Sequence, residues 1–192
     1  MTLLLLGAAS PSFSANIVAN PGFETGDLSS WSVTGANSSP GENGIYYGVD
    51  AMDAHSGTFG AYFGSSGGMM NLTQSLATSP GSAYTISFWL AQTATPFPYV
   101  NSFSVAFAGA TLVSQTALPA SNFTQYIFSG TASAATSALT FSFRNDTGFF
   151  SLDDISVDAG SNSVAPEPAT FLLLAPGLLS LALFTQHRGK AR

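Results

Sequence analysis

Cysteine is absent from the 192-residue sequence. That excludes disulfides, thiolate zinc sites and a cysteine nucleophile, and it leaves packing or a bound metal to supply stability. Histidine occurs only as His55 and His187, which excludes a histidine metal cluster in the body of the chain. Positive charge is equally scarce. Arg188, Lys190 and Arg192 crowd the carboxyl end and Arg144 stands alone in the body, facing Glu24, Asp27, Glu42, Asp50, Asp53, Asp146, Asp153, Asp154 and Asp158. A body of this charge does not bind a phosphate backbone, so nucleic acid is excluded as a partner. Charged residues make up only 7% of the chain, against 45% apolar and 12% aromatic, a composition too hydrophobic for disorder. The length fits one domain with tails and excludes a multidomain enzyme.

What the chain does have is one long charge-free apolar run near its end, residues 169–184. At 1.5 Å rise per residue a helix there reaches roughly 24 Å, against a hydrocarbon core of about 30 Å. It is short but able to span with flanks or local thinning. The basic tail 185–192, carrying Arg188, Lys190 and Arg192, follows directly and predicts a cytoplasmic carboxyl end with everything before the helix exported. A buried core helix would not be apolar all round and end in a basic tail. At the other end, residues 1–15 combine an apolar stretch with small residues at 14 and 15, the back half of a secretory signal. The missing basic front half implies a start codon upstream of Met1.

Between these ends, residues 16–158 show no 3.6-residue apolar period but many short alternating segments. Residues 84–90, 103–107 and 139–143 alternate apolar and polar side chains, so each commits one face to a core. Further strands are expected at 17–19, 32–34, 45–49, 59–63, 72–76, 111–114, 125–128 and 151–157, separated by Gly, Pro, Asn and Ser. About ten short strands at this spacing predict an all-β sandwich of two antiparallel sheets, with phenylalanine filling its core. A linker, 159–165, leads to the carboxyl segment.

Two resemblances sharpen this reading. Pro166, Glu167 and Pro168, followed by Ala-Thr, the apolar run and the basic tail, resemble the PEP-CTERM sorting signal of Gram-negative bacteria. The resemblance covers roughly residues 164–192 and implies recognition by an exosortase, with the motif a substrate and not a catalyst. The prolines, which disfavour helix, would hold it extended at the inner membrane. Asn-Pro-Gly-Phe-Glu-Thr-Gly-Asp-Leu-Ser-Ser-Trp at 20–31 resembles the opening of galactose-binding-like jelly rolls, including the family 4/9 carbohydrate-binding modules. Ser-Leu-Asp-Asp-Ile-Ser-Val at 151–157 resembles their last strand. Together these imply a jelly roll, and a fold hosts many functions.

The jelly-roll resemblance also implies a structural calcium ion clipping the two ends of the body, held by Glu24 and by Asp153 or Asp154 with carbonyls or water completing the shell. The plainer reading of these acids is turn and strand-end hydrogen bonding. Sugar rings need aromatic faces flanked by amides and hydroxyls. Alternation turns Tyr62 and Trp89 away from the core, and the prolines around Phe97 and Tyr99 keep that loop out of a central strand, so these four are the candidate ligand contacts. Trp31, inside the opening motif, is expected in the core. For Trp89 the plainer reading, ahead of a ligand platform, is packing beneath a neighbouring loop. Catalysis has little support: His55 with Asp53 lacks a nucleophile-elbow motif, no acid pair is singled out for glycoside cleavage, and Arg144 with Asp146 reads as an ion pair. The sequence therefore predicts an exported, non-enzymatic protein of the cell surface or polysaccharide matrix. The alternatives are a purely structural component and, behind that, a small glycan-active enzyme.

Overall fold

Period-two burial decides the architecture. In the strand Ala83–Gln92 every second side chain from Tyr84 to Gln92 is buried, and Thr136–Asn145 repeats the pattern with Leu139, Phe141 and Phe143 inside. The computed structural model describes residues 15–93 and 99–160. Its strands are β1 (Ser32–Gly35), β2 (Tyr47–Asp50), β3 (Gly60–Phe63), β4 (Met70–Ala77), β5 (Ala83–Gln92), β6 (Asn101–Phe107), β7 (Ala110–Thr116), β8 (Ser121–Thr131), β9 (Thr136–Asn145) and β10 (Phe150–Ala159). They form two five-stranded antiparallel sheets, ordered β1-β4-β9-β6-β7 and β2-β3-β10-β5-β8. The last two strands return to the middle of their sheets, β9 between β4 and β6 and β10 between β3 and β5, as in a jelly roll.

Phenylalanine joins the sheets. Phe63 of β3 stacks on Phe143 of β9 with centroids 4.4 Å apart and planes 4° from parallel. Phe88 of β5 meets Phe141 edge-on at 5.1 Å. Trp31 is buried against Phe23 and Phe141. Rings in these offset and edge-on poses add to the area they bury.

Ten of the expected strands form, several of them longer than their apolar centres, because Ser, Thr and Asn ends still pair. The segment 17–19 does not form one. Beyond one backbone bond, from the Ile17 amide to the Val157 carbonyl, its neighbour Asn16 takes the place of the ladder with its side chain: Oδ1 accepts from the amides of Val18 and Val157, and Nδ2 donates to the Ile155 carbonyl. Gln74 does the same for Ala19, accepting from its amide and donating to its carbonyl. In β10 a one-residue bulge lies between Asp153 and Ser156, with Asp154 at φ 49°. No helix of the described residues is long and apolar enough to cross a membrane. Residues 1–14 of the signal stretch 1–15, Phe97, the motif Pro166, Glu167 and Pro168, the run 169–184, and Arg188, Lys190 and Arg192 all lie outside the described residues.

Candidate functional site

The two outer faces differ in chemistry. Across the first sheet the centre of the outer face carries small hydroxyl and amide side chains, Thr73 opposite Thr140 and Asn71, Ser142, Ser104 and Ser114 in one row, with Arg144 opposite Ser102 at one end. This face offers no ring to a ligand. The second sheet carries Tyr62 opposite Ser151, with Ala91 beyond, and Trp89 opposite Gln125. The short 3-10 turn Ala51–Asp53 and the loop after it cross this second face.

Tyr62 lies flat across β2 because its neighbour there is Gly48: a Cβ at that position would come within 2.7 Å of Tyr62 Oη. Phe149 occupies the space over Gly64, 2.4 Å from where a Cβ would stand. The two rings meet edge to face at 5.6 Å and 83°. They wall a basin of about 410 Å³ shared with Asp50, Asp53, Ser151 and Met52. Ser151 Oγ donates to Asp53 Oδ1, and Asp50 Oδ1 accepts the Met52 amide at 2.8 Å. Burial pushes the Asp53 carboxyl above its ordinary value against the Ser151 hydrogen bond, and Asp50 adds to the rise. Tyr62 is raised too, first by burial and then by the charges of Asp50 and Asp53. A second basin, about 550 Å³, continues past Met52 to Phe123, Asn122 and Gln92. Met52, 88% exposed, stands between the two and lines both. Together they form a groove with rings at both ends and polar groups between.

The residues singled out from the sequence do not gather in one patch. Tyr62 is in the groove. Trp89 does point outward, but His55 stacks on it at 3.8 Å and 14°, with Phe123 edge-on to His55 at 5.2 Å. Its face is covered because the loop bearing His55 folds back onto β10. Tyr99 lines a different cavity of about 660 Å³ beside Val100, Leu118 and Arg144, which shares no lining residue with the groove. That cavity's one charge is already paired, Arg144 Nε and Nη2 donating to Asp146 at 2.9 and 3.0 Å. Phe149 was not among the sequence candidates. Alternation gives its direction, since Phe150 beside it is fully buried.

The acids Glu24, Asp153 and Asp154 lie together, and all three border the space a Cβ would fill at Gly22. Backbone amides meet them. Glu24 accepts from Thr58 and Phe59. Asp153, fully buried, accepts at Oδ2 from His55 at 2.8 Å and Ser56 at 3.0 Å, and at Oδ1 from Asp154 at 2.7 Å. Burial raises the Asp153 carboxyl, which the three amides oppose and the Asp154 charge reinforces. Asp154 takes His55 Nδ1 and Ser56 Oγ, both at 2.7 Å. Among the described residues no three carboxylate or imidazole groups are placed to hold one metal ion as they stand. His55 bonds Asp154 and not Asp53, and among the described residues no hydroxyl nucleophile bonds its ring.

No family model matches the chain, and no curated protein matches it in sequence. Solved structures do. A family 61 carbohydrate-binding module in complex with β-1,4-galactotriose superposes with a TM-score of 0.56 at 20% identity, over 77% of this chain and 100% of its own. The CBM22-1 xylan-binding domain of Xyn10C from Paenibacillus barcinonensis gives 0.51 at 15% identity, over 78% and 97%. The enzymatically active domain of bacteriophage CBA120 tailspike protein 4 gives 0.55 at 16% identity, over 76% of this chain, which spans only 21% of that one. Identities this low show the fold: the body is a jelly roll of the kind carbohydrate-binding modules have.

Proposed function

We propose that the body is a non-catalytic glycan-binding module of an exported protein of the cell surface or polysaccharide matrix. The observation that carries this is the pair of rings Tyr62 and Phe149, seated over Gly48 and Gly64 on the second sheet and meeting edge to face, beside the carboxylate oxygens of Asp50 and Asp53. A rigid aromatic wall with convergent polar groups is what a pyranose ring needs, an apolar face to stack on and acceptors for its hydroxyls. The similar structures support it, one solved with a galactotriose and another described as xylan-binding. Export and exosortase sorting through Pro166, Glu167 and Pro168, with the helix 169–184 held in the inner membrane until processing, rest on the resemblance of that segment alone. The calcium clip belongs to the same proposal. Glu24, Asp153 and Asp154 share the cradle at Gly22, and an ion there would take over part of the neutralisation the amides now supply.

The test is titration of the full chain in detergent with neutral oligosaccharides, in calcium and in chelator. Tyr62→Ala should weaken binding about tenfold or more. Gly48→Ala should do nearly the same by pushing the ring off its seat, while moving the melting temperature by no more than about 2 °C, since the clash meets only the far end of a side chain. Binding that survives both changes, or no binding to any glycan, removes this reading. A melting temperature indifferent to chelator removes the ion. For sorting, co-expression with an active exosortase should shorten the product and release it from membranes; identical fractionation beside an inactivated enzyme would contradict processing.

A further inference from the structure

The basin walled by Tyr62 and Phe149 holds two carboxylates and no cation. Asp50 Oδ2 and Asp53 Oδ2 have no donor among the described residues, their other oxygens being met only by the Met52 amide and the Ser151 hydroxyl. Among the described residues no Lys or Arg lines the basin. The single arginine of the described residues, Arg144, lines a separate cavity and is bonded through two nitrogens to Asp146. Two like charges therefore border an aromatic wall in a partly desolvated space, with no cation among the described residues of the basin to balance them. A neutral sugar hydroxyl would hydrogen-bond these oxygens but leave their charge in place. A uronic acid would add a third negative charge. A protonated amine would satisfy the oxygens, neutralise the charge and face the electron-rich rings of Tyr62 and Phe149 at once.

We infer that this basin selects a pyranoside bearing a free ammonium group, a glucosamine-type residue of a deacetylated glycan, over its N-acetylated and its acidic counterparts. Asp50 and Asp53 are the selecting residues, and Tyr62 and Phe149 the wall against which the ring stacks. The inference rests on the glycan-binding reading and adds the class of sugar.

The experiment is calorimetric titration of the full chain in detergent, at mildly acidic pH where the amine is charged. The probes are a β-1,4-glucosamine hexamer, the N-acetylglucosamine hexamer and a galacturonate hexamer. The glucosamine hexamer should bind about tenfold tighter than the acetylated one, and the galacturonate weakest. High salt should erase most of the advantage in the unmutated chain, a readout that needs no variant. The double change Asp50→Asn with Asp53→Asn should remove the preference, bringing the affinities for the glucosamine and acetylated hexamers to within about twofold of each other. Equal or weaker binding of the glucosamine hexamer, or a preference unchanged by salt, overturns the inference while binding of the acetylated hexamer keeps the glycan reading intact. Failure of all three hexamers, together with neutral galactose and xylose oligomers, sinks both.

Discussion

Phe143→Ala is expected to destabilise the body by about 3–5 kcal/mol. Phe143 is fully buried in the middle of the first sheet, paired across β9 with Phe103 and Met70. It stacks on Phe63 of the facing sheet and touches the rings of Phe103, Phe141 and Phe150 at 5.5, 6.4 and 5.8 Å. Those neighbours are themselves fixed on strands, so the space left by the ring cannot close. A domain of this size has a total stability of about 5–15 kcal/mol, so the loss is a large share of it and lowers the melting temperature by on the order of 10 °C. Phe143→Leu, which keeps most of the volume, should lose roughly half as much. Chemical and thermal unfolding measure both. A loss below about 1 kcal/mol would mean that the sheets are not held together at this stack.

Asp153→Ala should lose about 3 kcal/mol or more by another route. The carboxylate is fully enclosed and receives three backbone amides, from His55, Ser56 and Asp154. Alanine leaves all three N–H groups without an acceptor, and each orphaned donor costs about 1–3 kcal/mol, offset in part by the charge no longer buried. The loop over Trp89 is tied down by these bonds, so its amides should also exchange hydrogen faster. The carboxyl of Asp153 is raised by burial, so the folded state holds its proton to higher pH than the unfolded chain does. Its contribution therefore grows as pH falls through the raised value, and Asp153→Asn should flatten that part of the stability curve. An alanine variant as stable as the parent, with unchanged exchange in 54–58, would show that other contacts hold the loop.

How much could be read in advance follows from how local each signal is. The alternation of Tyr84, Ile86, Phe88 and Leu90 states which face is buried without reference to any other strand, and the structure agrees. The direction of Tyr62 and Trp89 is legible for the same reason. That a loop packs over Trp89 is among the readings of the sequence, but which loop does so is not legible, because it is held by Asp153 and Asp154, about a hundred positions away in the chain and brought close only by the return of β10 between β3 and β5. The platform was hidden in a similar way. Gly48 and Gly64 look like ordinary turn or strand glycines until the rings of Tyr62 and Phe149 are seen lying where their side chains would be. Segment 17–19 has the composition of a strand, yet beyond the one bond from the Ile17 amide to the Val157 carbonyl it is Asn16 and Gln74 that supply, with amide side chains, what a neighbouring strand would have supplied with its backbone.

The position of β10 has a mechanical consequence. It lies third of five in its sheet, paired along one side with β3 and along nearly its whole length with β5, and Gly160 continues the last of that pairing by donating to the Ala83 carbonyl. Asn16 stitches the start of the body onto the same strand. Tension drawn along this strand from its carboxyl end loads the ladder with β5 in shear, so that its bonds resist together and do not unzip one at a time. A body hung from that end would yield only when the central strand slides out of its sheet.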